Sequence, residues 1–246
     1  MTANPPPPDE VVQRFEDRTV THTGGEYTDE AFHYRLLKPA KAEAGKKYPL
    51  VLYLHGAGER GSDNIMQLLY LPEQMASSPW REKYPCYLIA PQCRKDASWA
   101  HRITESNTSD EPTDQMKVVL KILDQTLAEQ PIDTDRLYLT GLSMGGYGSW
   151  ELAMREPKRF AALVPICGGG DTSTAAKLVG LPIWAFHGDQ DKAVPVESSR
   201  EMIDAIKAAG GHPKYTEMSG VGHQSWMPAY SDPDGVIPWM FEQRRP

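Results

Sequence analysis

Five short apolar runs, each bounded by turn-forming residues, constrain the fold of this chain more than any other feature. They are Pro49–Leu54 (PLVLYL), Tyr87–Ala90 (YLIA), Leu137–Thr140 (LYLT), Ala161–Ile166 (AALVPI) and Ile183–Phe186 (IWAF). Runs this short and this continuously apolar fit strands buried on both faces, because a sheet with one wet face shows alternation instead. Between them lie helical patterns. Met116, Leu120, Leu123 and Leu127 recur at helical spacing. Met202, Ile203 and Ile206 do the same in a segment that starts after Pro195 and stops at Gly210-Gly211. Alternating buried strands and amphipathic helices predict an α/β fold with a mainly parallel central sheet and helices on both faces. Ahead of these, Val11–His22 and Tyr27–Leu37 flank Gly24-Gly25 and read as an N-terminal antiparallel strand pair. Ligands of such sheets sit outside the carboxyl ends of the strands, so a motif placed just after a strand is a candidate for function.

Composition narrows the function classes. The 246 residues carry a formal net charge of −7, which argues against a nucleic-acid binder or a polybasic membrane binder. At 40% hydrophobic and 24% charged the chain is neither disordered nor a disulfide miniprotein. No apolar run approaches the ~18 residues a membrane span requires. Cys86, Cys93 and Cys167 read as free, buried thiols; a Cys86–Cys93 bridge stays open, and no pair has zinc-ligand spacing. Residues 1–10, with Pro5 to Pro8, read as a flexible Pro-rich tail, and residues 11–246 as a single catalytic domain. The start MTANPPPPDEVVQRF lacks the basic and apolar stretches of a signal peptide. That fits a cytoplasmic chain, or a secreted or periplasmic one whose leader has been removed.

After LYLT comes Gly141-Leu142-Ser143-Met144-Gly145-Gly146, then a helical pattern from Tyr147. This is G-x-S-x-G in strand–turn–helix context. A turn that sharp strains the serine backbone and leaves no room for side chains two residues before and after it. The strain lifts the hydroxyl off the sheet edge, and the helix start offers free N–H groups and a positive dipole end to a developing oxyanion.

A serine hydroxyl needs an imidazole to take its proton. Of seven histidines, His22 and His33 fall in the early strands and His101 and His212 in polar loops. His55 and His187 each end a buried strand before a Gly, which also suits a structural, hydrogen-bonded ring. His223 lies in the Gly-rich loop SGVGHQSW, after the strand-like Lys214–Met218, where no core needs filling. It is the expected base. The acid that orients it follows Ile183–Phe186, where Asp189 and Asp191 are equally placed. The order Ser, Asp, His matches that on this kind of sheet.

With these residues the chain resembles the α/β-hydrolase superfamily, and within it a bacterial branch of esterases and predicted peptidases related to feruloyl esterases, dienelactone hydrolases and prolyl-oligopeptidase catalytic domains. The segments that carry the resemblance are LYLHGAGERGSDN, LIAPQC, LYLTGLSMGGYGSWELA, PICGGGD, IWAFHGDQDKAVPVESSREM and GVGHQSW. The family pattern H-G-x-x-D-x-x-V-P falls on His187 to Pro195 and implies that Asp191 is the acid; the G-H pair implies His223 as the base. The resemblance also implies an oxyanion hole from the backbone N–H groups of Met144 and Ala57, and a structural polar network at Glu59, Arg60, Asp63 and Asn64.

Trp99 and Trp226, in loops on the expected active face, are candidate substrate-binding residues. Gly168-Gly169-Gly170 lacks the G-K-S/T of a phosphate loop, and neither a metal-ligand pattern nor a dinucleotide fingerprint is present, so no cofactor is expected. The expected activity is hydrolysis of short-chain, aryl, hydroxycinnamoyl or acetyl esters through an acyl-enzyme. The ester substrate, small or polymer-linked, is the expected partner, with no nucleic acid and no membrane. The rivals are a serine peptidase using the same residues, disfavoured by the poorer leaving group and by the absence of room for a substrate-holding domain, and a non-catalytic binding member of the fold.

Overall fold

The computed structural model describes residues 5–101 and 111–245. In chain order the elements are α1 (Asp9–Val12), β1 (Phe15–Gly24), β2 (Tyr27–Leu37), β3 (Tyr48–Leu54), α2 (Leu71–Ala76), α3 (Ser78–Lys83), β4 (Tyr87–Pro91), α4 (Asp114–Glu129), β5 (Ile132–Leu142), α5 (Met144–Arg155), β6 (Ala162–Ile166), β7 (Trp184–Gly188), α6 (Glu197–Ala208), β8 (Lys214–Met218), α7 (Trp226–Ser231) and α8 (Val236–Glu242). Short 3-10 turns cover Ala57–Glu59, Met66–Leu68 and Thr172–Leu178.

The strands form one sheet in the order β1-β2-β4-β3-β5-β6-β7-β8. β1 and β2 pair antiparallel, as do β2 and β4; every later pairing is parallel. This is the α/β-hydrolase fold, and each apolar run of the sequence falls on one of its strands, with Ala161 and Ile183 standing one residue ahead of β6 and β7. Every residue of β3, β4 and β6 is buried, which is why these strands read as unbroken apolar runs.

The two faces are covered by different helices. Leu50, Leu52 and Leu54 of β3 face a core built with Met116 and Ile122 of α4, Trp150 of α5 and Ile203 of α6. Val51 and Tyr53, one step out of phase, face a second core with Leu71 and Met75 of α2, Trp226 of α7 and Ile237 of α8. β5 hands directly to α5 at Ser143, and β7 and β8 end beside it, so the loops after β3, β5, β7 and β8 meet at one sheet edge.

One expectation is corrected at the N-terminus. Residues 1–4 of the Pro-rich tail lie outside the described residues. The rest does not read as a free extended arm: Pro7 is buried, and Asp9–Val12 make a helical turn with Val11 in the second core. Pro8, with φ −57°, presets the entry, and Asp9 and Glu10 sit at the positive end of the turn. The strand predicted from Val11 therefore starts at Phe15. All three cysteines are free and buried, so Cys86 and Cys93 are not bridged.

Candidate active site

Ser143 sits between β5 and α5 with φ 54° and ψ −116°, a conformation a residue with a Cβ rarely adopts. Its N–H donates to the Ile166 carbonyl at 2.9 Å, and its own carbonyl accepts from Tyr147 N at 3.1 Å. The flanking glycines are required by contact. A Cβ on Gly145 would lie 1.9 Å from the Leu54 carbonyl oxygen, and one on Gly141 2.4 Å from the Gly145 carbonyl oxygen. The turn is therefore wedged against the end of β3 as well as against itself.

His223 meets that serine. Its Nε2 is 2.9 Å from Ser143 Oγ and its Nδ1 is 2.7 Å from Asp191 Oδ2. The imidazole is about a quarter exposed, whereas the Asp191 side chain is fully buried. Asp191 Oδ1 accepts from Ala193 N at 2.8 Å and Val194 N at 2.9 Å. Burial pushes the Asp191 carboxyl up, but the bonds from His223, Val194 and Ala193 outweigh it and hold the group below the usual aspartate range. Asp189, equal to Asp191 on spacing, faces elsewhere: its Oδ1 takes Gly220 N–H at 2.8 Å and pins the turn that leads to His223.

The β3 loop is built from the HGAG stretch. Ala57 opens the turn Ala57–Glu59, and Met144 opens α5. N–H groups at such first positions have no acceptor within their own turn, so both are available to an outside oxygen. Arg60 Nε donates to the Ala57 carbonyl at 3.0 Å and fixes the peptide there. Gln92 ties the loop down: its Nε2 donates to the Glu59 carbonyl and to Asp63 Oδ2, and its Oε1 accepts from Asn64 N. Glu59 is nearly enclosed; burial pushes its carboxyl up, opposed by the backbone N–H groups of Gly56 and Glu59. Glu59, Arg60, Asp63 and Asn64 thus form a network that shapes the loop.

His55 and His187 are structural. His55 Nδ1 donates to the Gly56 carbonyl at 2.6 Å, and Nε2 accepts from Cys93 N at 3.0 Å. His187 sits behind Asp191, Nε2 to Oδ2 at 3.2 Å.

The two tryptophans part company. Trp99 is 1% exposed, its Nε1 donates to the His55 carbonyl at 2.9 Å, and its ring packs edge-on to His55 at 5.0 Å. A Cβ on Gly148 would lie 2.5 Å from the Trp99 Cβ. It is a packing residue beneath the β3 loop rather than a surface for ligand, because its one polar atom and both ring faces serve the interior. Trp226 packs edge-on to His223 at 5.3 Å and to Tyr70 at 5.5 Å. It lines a cavity of ≈450 Å³ with Leu69, Tyr70, Met227, Tyr230 and Pro5 among its neighbours.

Sequence reasoning missed Tyr70 and Cys167. Both hold positive φ, 68° and 41°, which no spacing rule reveals. Cys167 Sγ, an Asp191 carboxylate oxygen and a His223 ring nitrogen lie within 4.8 Å of one another. Asp191 and His223 are already bonded to each other, and burial pushes the Cys167 thiol up to about 12, so this group is not set up as a metal centre.

Comparison with known proteins adds relatives to this geometry. A family profile described as phospholipase/carboxylesterase matches residues 40–232. A probable feruloyl esterase C of Aspergillus flavus is 26% identical over 193 residues, covering 78% of this chain and 67% of that protein. A dipeptidyl-peptidase 5 of Porphyromonas gingivalis is 26% identical over 130 residues, covering 53% of this chain and 18% of that protein. Among solved structures, a thermostable esterase superposes with TM-score 0.86 at 38% identity, covering 96% of this chain and 64% of that one. The chain thus spans less than two thirds of both the peptidase and the thermostable esterase.

Proposed function

The chain belongs to the phospholipase/carboxylesterase family of α/β-hydrolases, and from that premise we propose that it is a serine ester hydrolase working through an acyl-enzyme at Ser143. The observation that carries this reading is the hydrogen-bonded line from Ser143 Oγ through His223 to buried Asp191, at 2.9 and 2.7 Å. Ser143 Oγ attacks the ester carbonyl while His223 Nε2 takes its proton. The oxyanion is received by the N–H groups of Met144 and Ala57. His223 then gives the proton to the departing alkoxide. A water, activated by the same ring, releases the acid and frees Ser143. Asp191 holds the ring with Nε2 facing the serine and stabilises the imidazolium while it lasts. Residues 11–246 act in this reading as one catalytic domain.

Trp226 packs edge-on to His223 and also lines an aromatic cavity, and this supports an ester with an aryl or short alkyl group. Tyr70, Trp226 and Tyr230 offer ring faces and edges, and Met227, half exposed at the rim, adapts to shape. A feruloyl or acetyl ester fits that chemistry.

Parallel turnover of p-nitrophenyl butyrate, methyl ferulate and a peptide p-nitroanilide tests the proposal, together with fluorophosphonate labelling. The expected result is a label on Ser143 and ester turnover well above amide turnover. A protein that takes no label while folded overturns it. The likeness to a dipeptidyl-peptidase favours one second reading, peptide hydrolysis by the same residues; faster amide than ester cleavage would select it.

A further inference from the structure

Gln92 stands one residue past β4, a strand held antiparallel by β2 and parallel by β3, so its place is set by the sheet. The loop it faces, from His55 to Ile65, has one short 3-10 turn of its own. Backbone groups in such a loop need partners from elsewhere to hold a fixed shape. Ala57 and Gly58 are exposed at its crest. Bonds to the residues after β4 fall on both sides of them.

On the entry side, Cys93 N donates to His55 Nε2 at 3.0 Å. On the exit side, Gly61 N donates to the Cys93 carbonyl at 2.9 Å. Three further exit bonds belong to one side chain. The Gln92 amide nitrogen donates to the Glu59 carbonyl at 3.0 Å and to Asp63 Oδ2 at 3.2 Å, and its Oε1 accepts from Asn64 N at 2.7 Å. Two hydrogens meet two acceptors and the oxygen meets a donor, so these partners also fix which end of the amide is which. A Cβ on Gly61 would lie 3.2 Å from Gln92 Nε2, so the amide rests close against the loop backbone.

Asn64 carries the clasp outward. It is buried with φ 55°, and all four of its polar groups are bonded. Its N–H reaches Gln92, its carbonyl accepts from Arg35 Nε at 2.8 Å, its Nδ2 donates to Asp17 Oδ1 at 2.9 Å, and its Oδ1 accepts from Gln67 Nε2. Asp17 and Arg35 are direct cross-strand partners in β1 and β2. The N-terminal strand pair therefore grips from one side the residue that Gln92 holds from the other.

We propose that Gln92 is a positioning residue for the oxyanion hole: its amide holds the loop exit at Glu59, Asp63 and Asn64 so that the Ala57 N–H meets the oxyanion together with the Met144 N–H, and Asn64 ties this clasp to the N-terminal strand pair. The inference rests on the acyl-enzyme reading, with Ala57 and Met144 as the oxyanion donors. Met144 follows the nucleophile directly, so α5 places it. Ala57 comes from the loop of another strand and depends on what holds that loop. A donor misplaced by about 1 Å costs about 10²-fold in rate. The carbonyl of a bound ester carries little charge compared with the oxyanion, so the loss falls on kcat rather than KM.

The test uses kcat and KM for p-nitrophenyl butyrate, the inhibition constant of a trifluoromethyl ketone that forms a tetrahedral adduct with Ser143, and melting temperatures. The proteins are wild type, Gln92→Leu, Gln92→Glu, Asn64→Gly and Val119→Ala. Gln92→Leu removes all three bonds, whereas Gln92→Glu keeps an acceptor for Asn64 N and sets a second oxygen against the Glu59 carbonyl. Both are expected to lower kcat about 10–100-fold with KM changed less than about threefold, and to weaken the ketone by a similar factor. Asn64→Gly keeps the backbone N–H, accepts the positive φ and frees the loop from Asp17 and Gln67. It is expected to give the same pattern at about 3–10-fold, and it carries the test if the Gln92 variants do not fold. Val119→Ala, in the core beneath α4, should lower the melting temperature without this split. Folded Gln92 variants with wild-type kcat and ketone affinity overturn the proposal, as does an equal kcat loss in Val119→Ala at matched melting temperature. Failure of the underlying reading looks different: wild-type Ser143 itself takes no fluorophosphonate label.

Discussion

His223 Nε2 stands 2.9 Å from Ser143 Oγ although 80 residues separate them in the chain. The approach depends on how closely the β8 loop lies on the end of β7. A Cβ on Gly188 would fall 2.2 Å from the Val221 carbonyl oxygen and 2.5 Å from that of Gly222. The Gly that follows His187 therefore lets the loop settle low enough for the imidazole to reach the serine and Asp191 together.

Because the three side chains act as one proton relay, their loss is not additive. Ser143→Ala and His223→Ala are each expected to lower kcat for p-nitrophenyl butyrate by about 10⁵ or more, and Asp191→Asn by about 10³–10⁴. The double variant of Ser143 and His223 should be no slower than either single one. Asp189→Asn should retain most activity, since Asp189 binds a backbone N–H and not the imidazole. Steady-state kinetics with circular dichroism as a folding control decides this; loss at Asp189 with retention at Asp191 would reverse the assignment of the acid.

The turn at the nucleophile is wedged against β3, so Gly145→Ala is expected to be severe. Its Cβ would sit 1.9 Å from the Leu54 carbonyl oxygen, a backbone atom with no freedom to move aside. A destabilisation of more than about 3 kcal/mol is expected, with loss of fluorophosphonate labelling. Urea unfolding of the variant measures it, and a neutral result would mean that the turn and β3 are further apart.

The two tryptophans predict opposite phenotypes. Trp99→Ala removes a buried ring and leaves the His55 carbonyl without its donor, which should cost about 3–5 kcal/mol. Trp226→Ala removes a ring that packs on His223 and also lines the aromatic cavity, and should raise KM for aryl esters more than for acetyl esters. Melting temperatures and the ratio of the two KM values separate these outcomes.

His55 predicts how stability depends on pH. Burial lowers its pKa from about 6.5 in the unfolded chain to about 4 in the fold, partly opposed by the bond to Gly56. Between those values the unfolded chain binds a proton that the folded chain refuses, so stability rises with pH across this window. The full contribution is present above about pH 6.5 and is lost on acidification toward pH 4, a change of about 3 kcal/mol. Protonation would also break the bond that Nε2 accepts from Cys93 N. Urea midpoints at pH 7 and pH 4.5 should differ less in His55→Gln than in wild type.

The thiols should be silent in the folded protein. Cys86, Cys93 and Cys167 are buried, and burial pushes each up to about 12, so little thiolate forms at neutral pH. Ellman's reagent should titrate none of the three in native buffer and all three in urea.

The local part of this architecture was legible in the residues. Apolar runs marked β3 to β7, because a strand buried on both faces cannot hide that in its composition. G-L-S-M-G marked the nucleophile, because the steric demands of a sharp strand-to-helix turn act within a few residues. Proximity across the chain was not legible. On spacing alone Asp189 and Asp191 were equivalent; the tie is broken in space by where the β7 loop turns, which sends one carboxylate to Gly220 N and the other to His223. Trp99 and Trp226 looked alike as loop aromatics, and only packing sends one beneath the β3 loop and the other beside the imidazole. The sequence by itself determined which residues are strained, apolar or reactive, since these are properties of short segments. The tertiary structure alone decided which reactive groups meet, because hydrogen bonds and contacts between distant segments depend on ångström-scale positions that no local pattern encodes.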